Sequence, residues 1–179
     1  MPAFVHIAIY LPHQESSNEL IQSLLEGKMV IPGVDLTKKK AAIFSAGILD
    51  VFLQEEFLHG QTGLNNEYNR PLHSLSSGEQ KKALLNHLLF GKAHFFLLDE
   101  LYDHVDLQGQ GMILATMKMI AASKPVIQLV RRQKDILPFI QSFHWYQEKF
   151  IRSFETALDF HQYLEHSNPF KHQLVHWCR

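Results

Sequence analysis

Cysteine is nearly missing from this chain: Cys178 stands alone among 179 residues. A lone thiol excludes an intrachain disulfide, and its place beside the C-terminus argues against a structural metal role. Charge of one sign is missing too. Seventeen Lys and Arg against eighteen Asp and Glu leave a formal net charge of −1, so no global field draws the chain to nucleic acid or to an acidic membrane. Lys38-Lys39-Lys40 and Arg131-Arg132 are local basic spots and read as solvated surface. No uninterrupted apolar run reaches membrane-spanning length. Met1 to Leu11 is apolar, but it has no basic flank and is interrupted by His6, so it reads poorly as a signal peptide. Together these absences imply a reducing, cytoplasmic setting. The nine glycines also fail to form a Gly-x4-Gly-Lys-Ser/Thr phosphate loop. Gly27-Lys28 comes nearest, but Met29 follows it and no glycine lies five residues before.

What is present is an ordinary globular balance of 46% hydrophobic and 20% charged residues, enough for one domain with a sizeable core. Strands and helices alternate along it. Val5 to Leu11 reads as a buried strand ended by Pro12, and Ser16 opens a helix with Leu20, Ile21, Leu24 and Leu25 at helical spacing, stopped by Gly27. After the Pro32-Gly33 turn, Ala41 to Ser45 reads as a second strand and Ile48 to Phe57 as a helix ending near Gly60. Gly60 to Pro71 is polar and reads as a loop. Ser76 or Ser77 caps a leucine-rich helix that Gly91 ends, with Glu79 placed for a capping box. Ala93 to Leu98 has the continuous apolar character of a strand inside a parallel sheet. Its carboxyl end delivers Asp99 and Glu100, the place where α/β folds put chemistry. A helix over Gln108 to Ala122, a strand over Pro125 to Val130, a hairpin of Phe143 to Tyr146 with Phe150 to Phe154, and a helix over Glu155 to Leu164 complete the pattern.

Two segments carry the chemistry. Leu75-Ser76-Ser77-Gly78-Glu79-Gln80 opens a helix, where small residues leave backbone N–H groups uncovered at the positive end of the dipole and ready for a phosphate. Phe95-Phe96-Leu97-Leu98-Asp99-Glu100 ends a strand in two carboxylates, and Leu101-Tyr102-Asp103-His104-Val105-Asp106 follows. In this order the three segments resemble the signature motif, Walker B strand and D-loop of ABC-type ATPase nucleotide-binding domains. The resemblance spans residues 72–166 and leaves 1–71 as a divergent N-terminal part of a single domain over 1–179. It implies an α/β, P-loop NTPase-like fold, with a mostly parallel sheet and flanking helices. Within the family, the Ser-Gly-Glu-Gln-Lys-Lys-Ala-Leu-Leu wording is most similar to soluble tandem members such as the molybdate-type ATP-binding proteins.

The resemblance also implies roles and a partner. ATP and Mg²⁺ are the implied cofactors: Asp99 would hold the metal, a hard cation that prefers carboxylate oxygen, and Glu100 would orient or deprotonate the attacking water. Ser76, Ser77, Gly78, Glu79, Gln80 and Asp106 would contact a nucleotide on the opposite domain of a dimer, either a complete ABC ATPase domain or a homodimer mate. Arg132 falls near the family's switch histidine, and arginine cannot mimic a neutral imidazole. Ser77 stands where the family most often has glycine, Leu101 where it has proline, and the Q-loop glutamine is not evident. Without a phosphate loop, the expectation is a degenerate or truncated ABC domain that completes a partner's ATP site in trans and hydrolyses ATP only with that partner. A non-catalytic interaction or regulatory protein on the same scaffold is the alternative. A metal-dependent hydrolase built from the twelve histidines is a weaker one, because His172 and His176 have i,i+4 spacing but no His-Glu-x-x-His arrangement accompanies them.

Overall fold

The computed structural model describes residues 4–64 and 67–166. Met1 to Ala3, Cys178, His172 and His176 lie outside the described residues. Six strands form one sheet in the order β2-β3-β4-β1-β5-β6, comprising β1 (Ile7–Tyr10), β2 (Ala41–Phe44), β3 (Phe95–Asp99), β4 (Val126–Val130), β5 (Ser142–Gln147) and β6 (Phe150–Phe154). The first five are mutually parallel, and β6 closes the sheet as the antiparallel arm of the expected hairpin. Among the described residues, five α-helices connect or flank the strands: α1 (Ser17–Leu25), α2 (Ala46–His59), α3 (Ser77–Leu89), α4 (Leu107–Ala121) and α5 (Ala157–His166).

The central strands are buried on both faces, which is why they read as continuous apolar runs. Within β3 the pleat sends Phe95 and Leu97 to one face and Phe96 and Leu98 to the other, so a single strand feeds two cores. One core packs Leu20, Ile21 and Leu24 of α1, together with Ile31, against Ile7, Ile9, Phe95, Leu97, Ile127 and Leu129. The other packs Leu84 and Leu85 of α3, Ile113 and Met117 of α4, and Phe160 of α5 against Phe44, Phe96, Leu98, Val126 and Phe143. The N-terminal segment is therefore no appendage. Its β1 is an inner strand, paired to β4 at Ile7↔Ile127 and to β5 at Ile7↔Ser142.

Buried polar groups anchor the loops at the sheet's carboxyl end. Gln128, 1% exposed in the middle of β4, donates from Nε2 to the Asp135 carbonyl at 2.8 Å and accepts from the Leu137 N–H at 2.9 Å. Both halves of its amide are satisfied, so its burial carries no unpaired-group penalty. Glu56 on α2 takes the N–H groups of Leu72 at 2.6 Å and His73 at 3.0 Å, which fixes the short turn of Leu72–Ser74 just before α3. Burial pushes this carboxyl up, but the hydrogen bonds from His73 and Leu72 outweigh it and hold the group below the usual carboxylate range. Helix α2 itself ends where Gly60 takes a φ of 69°, a left-handed cap that costs a glycine nothing.

His144 in β5 is 1% exposed and bridges two hydroxyls, Ser142 at 2.9 Å and Ser153 at 3.0 Å. Burial lowers its pKa from 6.5 to about 4, and burial lowers that of His6 as well. Between the two values only the unfolded chain takes up the proton, so the stability present above pH 6.5 is lost as the pH falls toward 4. Denaturant melts at stepped pH should lose on the order of 3 kcal/mol across this window, and His144→Asn should flatten the slope. An unchanged slope in that variant would remove His144 from the account.

Candidate functional site: two cavities on either side of one loop

The residues singled out in the sequence collect around the segment 100–106, which leaves β3 and enters α4. Glu100 turns the chain with a φ of 48°, and His104 turns it again at 55°. Left-handed backbone is costly for residues with a Cβ, and neighbouring side chains hold it here. Lys81 of α3 sends its ammonium group to the Glu100 carbonyl at 3.1 Å and the Asp103 carbonyl at 2.5 Å. Burial draws the Lys81 pKa down, against the raising influence of Asp103, Glu100 and Asp99. Ser77 Oγ donates to the His104 carbonyl at 3.0 Å. Helix α3 therefore grips the loop at both of its left-handed corners.

On one side of this loop lies a groove of about 470 Å³ lined by Ser76, Ser77, Gly78, Glu79, His104, Asp106 and Gly109, among others. Two helix N-termini open into it. Ser76 caps α3 by accepting from Glu79 N–H, and Glu79 returns the bond to Ser76 N–H at 2.8 Å, the capping box expected from the sequence. The hydrogen bonds from the Ser76 backbone and hydroxyl hold the Glu79 carboxyl below its ordinary range. Asp106 caps α4, accepting from Gly109 N–H at 2.7 Å. With Glu79 N–H committed to the cap, the N–H groups of Ser77 and Gly78 remain without an acceptor among the described residues, and a Cβ at Gly78 would meet nothing within 4 Å. Gln80 is the exception among the predicted contacts. Its Nε2 donates to the Leu72 carbonyl at 3.0 Å, and its side chain is bound to the preceding turn.

On the other side lies a cavity of about 250 Å³ at the carboxyl ends of β3 and β4, lined by His13, Glu100, Tyr102, Asp103, Arg131, Arg132 and Asp135 among others. Arg132 pairs with Asp103 at 3.1 Å and Asp135 at 2.5 Å. The cation beside Glu100 belongs to Arg131, whose Nε lies 3.0 Å from Glu100 Oε1. Its other nitrogens donate to the carbonyls of Pro12 at 2.9 Å and Glu15 at 3.0 Å, in the turn between β1 and α1. With 19% of its side chain exposed, Arg131 is not the solvated surface residue that the basic pair suggested. Asp99 sits behind it, 9% exposed. Burial raises its pKa, and a hydrogen bond from Ser17 at the start of α1 works in the opposite direction.

Sequence reasoning passed over Arg131, Ser17 and Lys81. The available signal was positional: an Arg-Arg pair directly after an apolar strand lies at the same carboxyl edge as Asp99-Glu100. What hid it was strand order. Only in the sheet does the turn after β1 come to face the ends of β3 and β4. Among the described residues, no three His, Cys, Asp or Glu side chains gather as a metal cluster, and no helix is long and apolar enough to cross a membrane.

The fold is that of ABC ATPase nucleotide-binding domains. A transporter described as of the metal-chelate ABC type, solved in an inward-facing conformation, is similar with a TM-score of 0.57 and 18% identity, over 86% of this chain and 73% of that one. An ATP-binding cassette solved as a dimer in a post-hydrolysis state, bound to ADP and Pi, is similar with a TM-score of 0.57 and 11% identity, over 83% of this chain and 85% of that one. No protein-family model matches the sequence, and no curated protein matches it.

Two glycines in the first turns of α3 and α4 differ in their surroundings. A Cβ at Gly109 would lie 2.7 Å from Val105 Cγ1 and 3.0 Å from the Asp106 carboxylate, so Gly109→Ala should cost about 1–3 kcal/mol through overpacking and a displaced cap. Gly78→Ala meets open space in a helix and should leave stability unchanged or raise it by up to about 1 kcal/mol. Urea denaturation of the two variants tests the contrast, and equal effects would contradict it.

Proposed function

We propose that this chain is a degenerate ABC-type ATPase domain whose signature groove completes an ATP site held by a partner ABC ATPase domain. The observation that carries the reading is the opposite polarity of the groove and of the turn after β1. The groove at Ser76, Ser77 and Gly78 presents uncommitted N–H donors at a helix N-terminus, the arrangement that receives a phosphate. The turn after β1 does the reverse, directing the Pro12 and Glu15 carbonyls at a guanidinium. A row of carbonyl oxygens repels phosphate, so ATP and Mg²⁺ do not fit that turn. A homodimer would then have no phosphate cradle on either side, which favours a complete domain as partner over a second copy.

In this arrangement the partner holds the nucleotide and carries the phosphoryl transfer. The chain contributes the N–H groups of Ser77 and Gly78, aimed by the capping box, and Asp106 fixes the neighbouring helix end. Glu100 has no water-activating part while Arg131 holds its carboxylate. Whether the partner is another chain or a second domain of a tandem protein of the molybdate type, the contribution is the same.

Titrated into a phosphate-loop-bearing ABC domain from the same source, the chain should raise ATP hydrolysis. Gly78→Asp should reduce that rise by roughly 10²-fold, because it sets a carboxylate beside the two N–H donors, where it repels the transferred phosphate and offsets their stabilisation. The variant itself should fold, since an aspartate in the first helical turn is favourable and its Cβ enters open space. A Gly78→Asp chain that stimulates hydrolysis as well as the parent would exclude the trans site and leave a regulatory binder as the surviving reading.

A further inference from the structure

We infer that Arg131 is a resident cation that closes the chain's own nucleotide position and positions the signature helix without any nucleotide being bound. The inference shares with the proposed function only the identification of the turn after β1 as that position, and it is testable on the isolated chain. Strand β1 lies between β4 and β5, and its turn into α1 is an inner turn at the carboxyl edge, where α/β sheets bind ligands. A polyanion there requires N–H groups and a cation directed inward. Here three acceptors converge instead on one planar fork of donors: the Pro12 carbonyl on Nη1 at 2.9 Å, the Glu15 carbonyl on Nη2 at 3.0 Å and the Glu100 carboxylate on Nε at 3.0 Å. A guanidinium supplies such a fork where an ammonium does not, with the two carbonyl bonds partly buried and the Glu100 bond charge-assisted on both sides.

These contacts also reach the other cavity. The residue whose carboxylate Arg131 holds is the one whose carbonyl accepts from Lys81 of α3. Lys81 continues to the Asp103 carbonyl, and Ser77 on the same helix binds the His104 carbonyl. Hydrogen bonds joined by the backbone of residues 100–104 thus run from the turn at Pro12 to the first turn of α3. In a nucleotide-loaded domain the ligand would order the end of β3. In this chain a side chain does so permanently, and the signature face is presented in one arrangement whether or not ATP is in solution. Arg131 acts here as a positioning residue.

Hydrogen exchange of the isolated wild-type chain, Arg131→Ala and Arg131→Lys, each with and without MgATP, tests this. In the wild type, MgATP should leave exchange at residues 13–16 unchanged. Arg131→Ala should speed exchange about tenfold at the hydrogen-bonded amides of Glu15, Asp103, Glu79 and Gln80, while β4 stays protected. Arg131→Lys should fall between the two, because a single ammonium group cannot span all three acceptors. Protection of residues 13–16 by MgATP in the wild type, lost in Arg131→Ala, would make Arg131 a phosphate ligand and overturn the inference. Exchange at Glu79 and Gln80 that ignores the alanine substitution would also overturn it. Should Arg131→Ala fail to fold, the lysine variant and the wild-type response to MgATP still decide the question, with full retention of wild-type protection by lysine counting against it.

Discussion

The bond set of Arg131 is the constraint around which the carboxyl edge of this sheet is organised. One guanidinium joins the turn after β1, the end of β3 and its own position at the end of β4. These segments are far apart in sequence, and Arg131 is bonded to Pro12 across 119 positions. Parallel strands cannot be joined by tight turns, so their ends have to be tied by side chains. A planar group with five donors accomplishes this at one point.

From that tie the turn after β1 and the groove acquire opposite characters. The loop 100–106 is the common wall of the two cavities, and Lys81 and Ser77 hold it from the α3 side. Facing β1, the acceptors are turned inward and neutralised by Arg131. Facing α3 and α4, the acceptors Ser76 Oγ, Asp106 and Glu79 are spent on capping, which leaves donors toward the groove. The same buried polar logic recurs in Gln128 and Glu56: Gln128 is satisfied by the loop that carries Asp135 to the second cavity, and Glu56 by the turn that leads into α3. An unsatisfied member in any of these positions would cost more than its bond contributes, so the loops bordering both cavities are strongly determined.

The element order was legible in the sequence because each element declares itself locally. Apolar runs the length of a strand, leucines at helical spacing, and Ser or Asp at helix starts all act through the nearest few residues, and the observed strands and helices follow the expected ones to within a few positions at their ends. Edges of elements were less legible, since Ala93, His94 and Pro125 are as apolar or permissive as their neighbours, and only ladder pairing decides where β3 and β4 begin. Gly78 and the Ser76 to Glu79 capping box were readable for the same local reason. Gln80 was not, because its tie to Leu72 depends on how the preceding turn folds back.

By itself, then, the sequence determined the alternation of strands and helices, the absence of a phosphate loop, and the signature-like helix start, all properties of short stretches of chain. Tertiary structure decided which of the two adjacent arginines is partly buried against Pro12, Glu15 and Glu100 and which stays exposed beside Asp103 and Asp135. It also decided that the turn after β1 faces Asp99 and Glu100. The physical reason is strand order: β1 inserts beside β4 rather than β2. That choice is made by burial of whole faces and by hydrogen bonding across the sheet, which no local run of residues encodes.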